Sequence, residues 1–150
     1  MKILLNFVII LFALTLSVGD RNSSNLYFHD EILKQNSNVF NSETIVVGVI
    51  DTGLKYSEYS RNVKLCKFGH KDFTSIGHYH SLPNVVDPVP ADEHGHGTNV
   101  LGLITKYAED TNYCIVVLKF YSPSAVGDDF LINEVRAIKY ATAIKIKYLN

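Results

Sequence analysis

Residues 45–50 read Ile-Val-Val-Gly-Val-Ile and run straight into Asp51-Thr52-Gly53. A stretch this rich in β-branched residues, without polar alternation, fits a strand covered on both faces, as strands of parallel sheets are. Such a strand carries the residues after it to the carboxyl edge of the sheet, where the ligands and reactive groups of open α/β proteins gather. Here it delivers a carboxylate, Asp51.

The rest of the chain is consistent with that reading. Residues 63–68 suggest a second short strand. The stretch from there to Glu93 holds Gly77, Pro83, Pro88 and Pro90 and reads as loop. Residues 98–108 read as a helix, with Val100, Leu101, Ile104 and Tyr107 on one apolar stripe. Within it Gly102 is expected to let the helix lie close to a neighbour. Residues 113–121 form another Val/Ile/Leu-rich strand. A turn over 122–127 leads to Asp128 or Asp129 as the cap of a further helix. On that helix Leu131, Val135, Ile138 and Thr142 share a face, and residues 144–149 begin one more strand. Strands separated by single helices imply right-handed crossovers. The expected fold is α/β, a three-layer open parallel sheet with helices on both faces. Because the sequence stops at Asn150, directly after a strand, it reads as a truncated version of that fold.

Residues 1–19 stand apart. Lys2 precedes an apolar stretch over 3–16 interrupted only by Asn6, and Ser17-Val18-Gly19 supplies small residues at its end. This pattern fits a cleaved export signal and is short for a membrane span, which needs about 18–20 apolar residues. The expected organisation is a signal peptide at 1–19, a polar lead-in at 20–42 and a partial catalytic domain at 43–150. The protein is expected to be secreted or extracytoplasmic, with no stable membrane anchor after cleavage. The chain carries 14 basic and 15 acidic side chains, so nothing in its charge points to nucleic acid. Cys66 and Cys114 are compatible with a disulfide in an exported protein or with two buried thiols. No Cys-x-x-Cys pair suggests structural zinc.

Two short motifs carry chemistry. The first is Val47-Gly48-Val49-Ile50-Asp51-Thr52-Gly53. The second, His94-Gly95-His96-Gly97-Thr98-Asn99-Val100-Leu101-Gly102, sets a histidine at the start of a helix, with Gly97 allowing close backbone approach. An Asp at a strand end can accept from an imidazole Nδ1–H. That fixes the tautomer and stabilises the imidazolium formed when Nε2 takes a proton.

These residues resemble the subtilisin-like serine proteases, the subtilases. Residues 45–53 match the family's aliphatic strand ending in Ile-Asp-Thr/Ser-Gly, and residues 96–104 match His-Gly-Thr-x-Val-x-Gly-x-Ile. Asp before His is the family's chain order. A weaker resemblance runs through Val117-Leu118-Lys119-Phe120, residues 136–142 and Lys147-Tyr148-Leu149-Asn150, so that it spans residues 43–150. The resemblance implies Asp51 as the catalytic Asp, His96 as general base and then general acid, and a polypeptide substrate. No cofactor and no metal are expected, and His94, one step off the motif, is expected to be a loop neighbour.

The family's Gly-Thr-Ser-Met-Ala nucleophile segment and its oxyanion Asn have no counterpart here, and Ser122 and Ser124 lie in a turn without that context. The chain alone is therefore expected to be inactive until a Ser-bearing segment completes it. The usual long propeptide and the calcium-binding loop after the histidine helix are also missing from the pattern. Two other classes compete. One is a non-catalytic pseudoprotease or binding module. The other is a zinc-dependent hydrolase using the cluster of His78, His80, Asp92, His94 and His96. A dinucleotide site is disfavoured, since no Gly-x-Gly-x-x-Gly succeeds the first strand.

Overall fold

The computed structural model describes residues 44–57 and 60–150, together with Glu31 and Lys34. The signal peptide expected at 1–19, and all of the lead-in at 20–42 except those two residues, lie outside the described residues. Strand β1 (Ile45–Asp51) runs parallel to β5 (Tyr113–Lys119) in continuous register from Ile45 opposite Tyr113 to Asp51 opposite Lys119. On its other side β1 pairs in parallel with β6 (Tyr148–Leu149), and β5 pairs in parallel with β2 (Lys71–Asp72). The four-stranded sheet has the order β2-β5-β1-β6. A second, two-stranded antiparallel sheet pairs β3 (Tyr79–His80) with β4 (Val89–Pro90), and Val89 packs in the same core as Ile115 and Val117 of β5. Helices α1 (His96–Tyr107) and α2 (Phe130–Ala143) complete a mixed α/β fold. No helix among the described residues is long and apolar enough to cross a membrane.

Every residue of β5 is buried, and its alternating side chains divide between two cores. Cys114, Val116 and Leu118 face one cluster, with Val46 and Ile50 of β1 and with Ala137 and Ala141 of α2. Tyr113, Ile115 and Val117 face the other, with Val47 and Val49 of β1 and with Leu101 of α1. One helix therefore covers each face. Burying one Val, Leu or Ile contributes about 1.5–3 kcal/mol, so this two-sided strand is a main source of cohesion.

The strand expected at 63–68 is broken. Leu65 makes only an isolated bridge to Ile115, and pairing resumes six residues later at β2. In the gap a histidine ring replaces the missing backbone. The Val117 amide donates to His70 Nδ1 at 3.0 Å, and His70 Nε2–H donates to the Cys66 carbonyl at 2.9 Å. Gly69, at φ +98°, makes the bend and donates its amide to Asp87 at 2.6 Å. Cys66 and Cys114 form a disulfide beside this knot.

Four helix and strand expectations shift. Helix α1 begins at His96, two residues early, and Tyr107 points outward; Ala108 packs on the core in its place. Gly102 faces open space, so it serves no close approach. On α2 the large apolar residues Leu131, Val135 and Ile138 are exposed, while Asn133, Ala137 and Ala141 are buried. Small side chains let the helix lie close on the sheet, and that packing overrides the hydrophobic stripe. Strand pairing after α2 is confined to Tyr148–Leu149, because Lys145 takes a positive φ of 58° and Ile146 turns into the core. Asp129 is the N-cap, accepting from the Leu131 and Ile132 amides.

Candidate functional site

Strand β1 ends at Asp51 and α1 starts at His96, and the sheet's carboxyl edge brings the two together. The His96 Nδ1–H donates to the Asp51 carboxylate, 2.9 Å from Oδ1 and 2.8 Å from Oδ2. Among the described residues the ring hydrogen-bonds only through Nδ1. Nε2 is thereby the acceptor nitrogen of the neutral ring, and the side chain is 63% exposed against 13% for Asp51. Hydrogen bonding to Asp51 and the charge of that carboxylate raise the His96 pKa above its ordinary value, with the Asp92 charge adding to them and a small desolvation opposing.

The approach depends on two glycines. A Cβ on Gly97 would sit 2.5 Å from the Gly53 carbonyl oxygen and 3.1 Å from Asp51 Oδ1. Gly53 takes φ +112°, where a Cβ would strike the Ala91 carbonyl at 2.7 Å. The turn after β1 is stitched to the segment before α1, with Leu54 donating to the Pro90 carbonyl at 2.9 Å.

Beneath the pair lies Asp92, which is 7% exposed. Its Oδ1 accepts from the Thr52 hydroxyl at 2.8 Å, the His94 amide at 2.9 Å and the Gly95 amide at 2.8 Å. Its Oδ2 accepts from the Thr98 amide at 2.9 Å and from the Thr98 hydroxyl. The threonines also link onward: Thr52 Oγ1 accepts from the Gly97 amide at 2.9 Å, and Thr98 Oγ1 from the Lys55 amide at 2.8 Å. Burial opposes the charge on Asp92, but hydrogen bonds from Thr98, Gly95 and Thr52 outweigh it and hold the pKa down to about 2.

Glu93 points the other way. It accepts from Ser122 and pairs with His78 Nδ1 at 2.6 Å, and the buried Lys119 ammonium lies 3.6 Å away. The Ser122 hydroxyl holds its carboxyl below the usual range; slight desolvation opposes this, and His78 and Lys119 reinforce it. Lys119 donates to the Ala91 carbonyl at 2.7 Å, so a fully buried cation braces the loop that carries Asp92.

The structure brings Asp51 and His96 together as the motifs require. His94 stands beside them, its ring centroid 6.4 Å from that of His96 and 5.9 Å from that of Tyr121. The imidazole cluster does not converge: His78 binds Glu93, Asp92 serves the helix start, and no group of three or more His, Cys, Asp or Glu among the described residues could hold a metal ion. Sequence reasoning counts Asp92 only as a candidate ligand and does not single out Lys119 or Thr52. For Asp92 ordinary capping gives no signal, since it lies four residues before α1 and the N-cap position is Gly95. Nor does the sequence hold a signal for a buried lysine at a strand end. Compared with known proteins, the chain matches no family model, no curated protein and no solved structure.

Proposed function

We propose that this chain carries the acid–base half of a serine-type endopeptidase of the subtilisin-like kind, with Asp51 orienting His96 and His96 moving the proton. The observation that carries this reading is the Nδ1 contact to both oxygens of Asp51, made by a ring that keeps Nε2 toward solvent. In that arrangement a serine hydroxyl placed at Nε2 would lose its proton to His96 as it attacks a peptide carbonyl. His96 would then return the proton to the leaving amine, while Asp51 stabilises the imidazolium. The one-helix-per-face parallel sheet and the site at its carboxyl edge support the subtilisin-like form of this reading. The Cys66–Cys114 bridge supports an exported setting.

Among the described residues no serine hydroxyl bonds to His96, and that of Ser122 is committed to Glu93. These residues by themselves are therefore expected to show no proteolysis. The test is to join the chain to a Ser-bearing downstream half of a subtilisin-like domain and measure peptide hydrolysis. Hydrolysis should appear, and Asp51→Asn or His96→Ala should lower kcat by about 10⁴. The missing serine contact also favours a second reading, a non-catalytic binding module. Absence of hydrolysis in the folded, joined protein would favour that one.

A further inference from the structure

Asp51 and His96 come from separate elements, and their side chains meet only if the turn after β1 and the first turn of α1 keep a fixed spacing. The bare backbone of Gly97 allows that spacing, and two direct bonds help to hold it, the Gly97 amide to Thr52 and the Lys55 amide to Thr98. The largest set of bonds converges on one carboxylate. Thr52, next to Asp51 in sequence, donates to Asp92 Oδ1, and Thr98, two residues after His96, bonds to Oδ2 through both amide and hydroxyl. Thr52 closes the ring by accepting from the Gly97 amide, next to His96. Asp92 thus grips one neighbour of each member of the pair, from inside the protein, without touching either.

We propose that Asp92 is a positioning residue for the Asp51–His96 pair, acting through Thr52 and Thr98. This rests on the reading of that pair as an acid–base couple, and it names what holds the couple in register. The oxygens divide the work: Oδ1 serves the β1 turn and the residues before α1, and Oδ2 serves Thr98. No other residue type duplicates this. Asn offers one acceptor oxygen in place of two, and Glu is longer by a methylene in a buried setting. The deeply lowered Asp92 pKa agrees, since it reports how strongly these donors hold the charged form.

The role is separable from ordinary helix capping, and from the direct effect of the Asp92 charge on the ring, by reading His96 itself. The experiment is an NMR titration of the His96 imidazole in the full chain, for the wild type, Asp92→Asn and Asp92→Ala. Each is repeated in an Asp51→Asn background, with thermal melts alongside. Positioning predicts that the His96 pKa drops in the Asp51 background, further for Ala than for Asn, because Asn keeps one acceptor oxygen and with it two or three of the five hydrogen bonds. In the Asp51→Asn background the same changes should move it far less. An equal drop for Asn and Ala, repeated unchanged when Asp51 is Asn, would mean a plain through-space charge and overturn the proposal. A lowered melting temperature with an unmoved His96 pKa would mean a merely structural cap and overturn it too. Should Asp92→Ala fail to fold, Thr98→Val and Thr52→Val each remove a hydroxyl link to Asp92, together with that hydroxyl's bond from the Lys55 or Gly97 amide, while leaving the Asp92 charge. A downward shift in either supports the role, and no shift in both overturns it. Asp51→Asn alone is the control for the underlying reading. If it leaves the His96 pKa unchanged, the pair itself is wrong, whatever Asp92 does.

Discussion

The Gly53 carbonyl oxygen lies 2.5 Å from the point where a Cβ on Gly97 would be built, so the turn after the first strand and the start of α1 touch backbone to backbone. Neither partner can give way cheaply. Gly53 is itself pinned at a positive φ against Ala91, and Gly97 is fixed by its amide bond to Thr52. Gly97→Ala should therefore push α1 away from β1. The expected result is a loss of about 1–3 kcal/mol in urea unfolding, as for other overpacked sites, with the His96 pKa falling toward the free-imidazole value. Gly102→Ala is the control, because its Cβ would meet open space. It should gain a few tenths to about 1 kcal/mol in the same assay, as a Gly removed from a helix interior.

Acid should weaken the fold in two steps. Burial lowers the His70 pKa from 6.5 to about 4, although its bond to the Cys66 carbonyl and the Asp87 charge pull it upward. A proton then binds the unfolded chain more readily than the folded one. The stability tied to a neutral His70 is complete above pH 6.5 and is lost as pH falls from there toward 4. It amounts to about 3 kcal/mol at most. Asp92 acts lower, its contribution present above its unfolded value of 3.8 and lost as pH falls toward about 2. Urea melts at pH 7, 5.5 and 4.5 should show the first step. His70→Gln should flatten it, since Gln can still donate to Cys66 and accept from Val117 without charging. An equally steep loss in that variant would point to another group.

The disulfide should matter for stability and not for the acid–base pair. It closes a loop with a sequence separation of 48, worth about 4 kcal/mol in the chain-entropy account. It lies in the cluster under α2, on the side of the sheet opposite α1. The double variant Cys66→Ser, Cys114→Ser should lose about 2–4 kcal/mol in urea unfolding at pH 7, while the His96 titration stays that of the wild type. A moved His96 titration would show that the bridge strains or supports the site.

How much of this can be read from the letters depends on whether local pattern or distant contact decides each element. Strands β1 and β5 are legible because both send β-branched side chains into the cores on the two faces of the sheet, β5 buried throughout and β1 fully only at Gly48 and Val49. The places of Asp51 at a strand end and His96 near a helix start are legible from local pattern, whereas their meeting is legible only from the two motifs taken together. The break between Leu65 and Lys71 is not legible, since a histidine ring standing in for backbone leaves no periodic trace. The inner face of α2 is hidden for a related reason. Periodicity favours the largest apolar residues, whereas the helix–sheet distance selects Ala137 and Ala141.

That choice of small residues has a consequence for solution behaviour. Leu131, Val135 and Ile138 are 60%, 50% and 43% exposed along one face of α2, and Phe130 and Ile132 extend the apolar surface at its start. On the far side of β1, β6 is the last strand of the sheet among the described residues, with Tyr148 and Leu149 also exposed. Contiguous apolar surface and an open strand edge both favour association. The isolated chain is expected to self-associate at micromolar concentration, and Leu131→Lys with Val135→Lys should shift it toward monomer without lowering its melting temperature. Sedimentation velocity and thermal melts on the two proteins check this. Ala137→Lys should do the opposite, unfolding the protein by forcing a charge between helix and sheet. If the double lysine variant unfolds and Ala137→Lys is tolerated, α2 packs by its large residues after all, and the small-residue contact with the sheet is wrong.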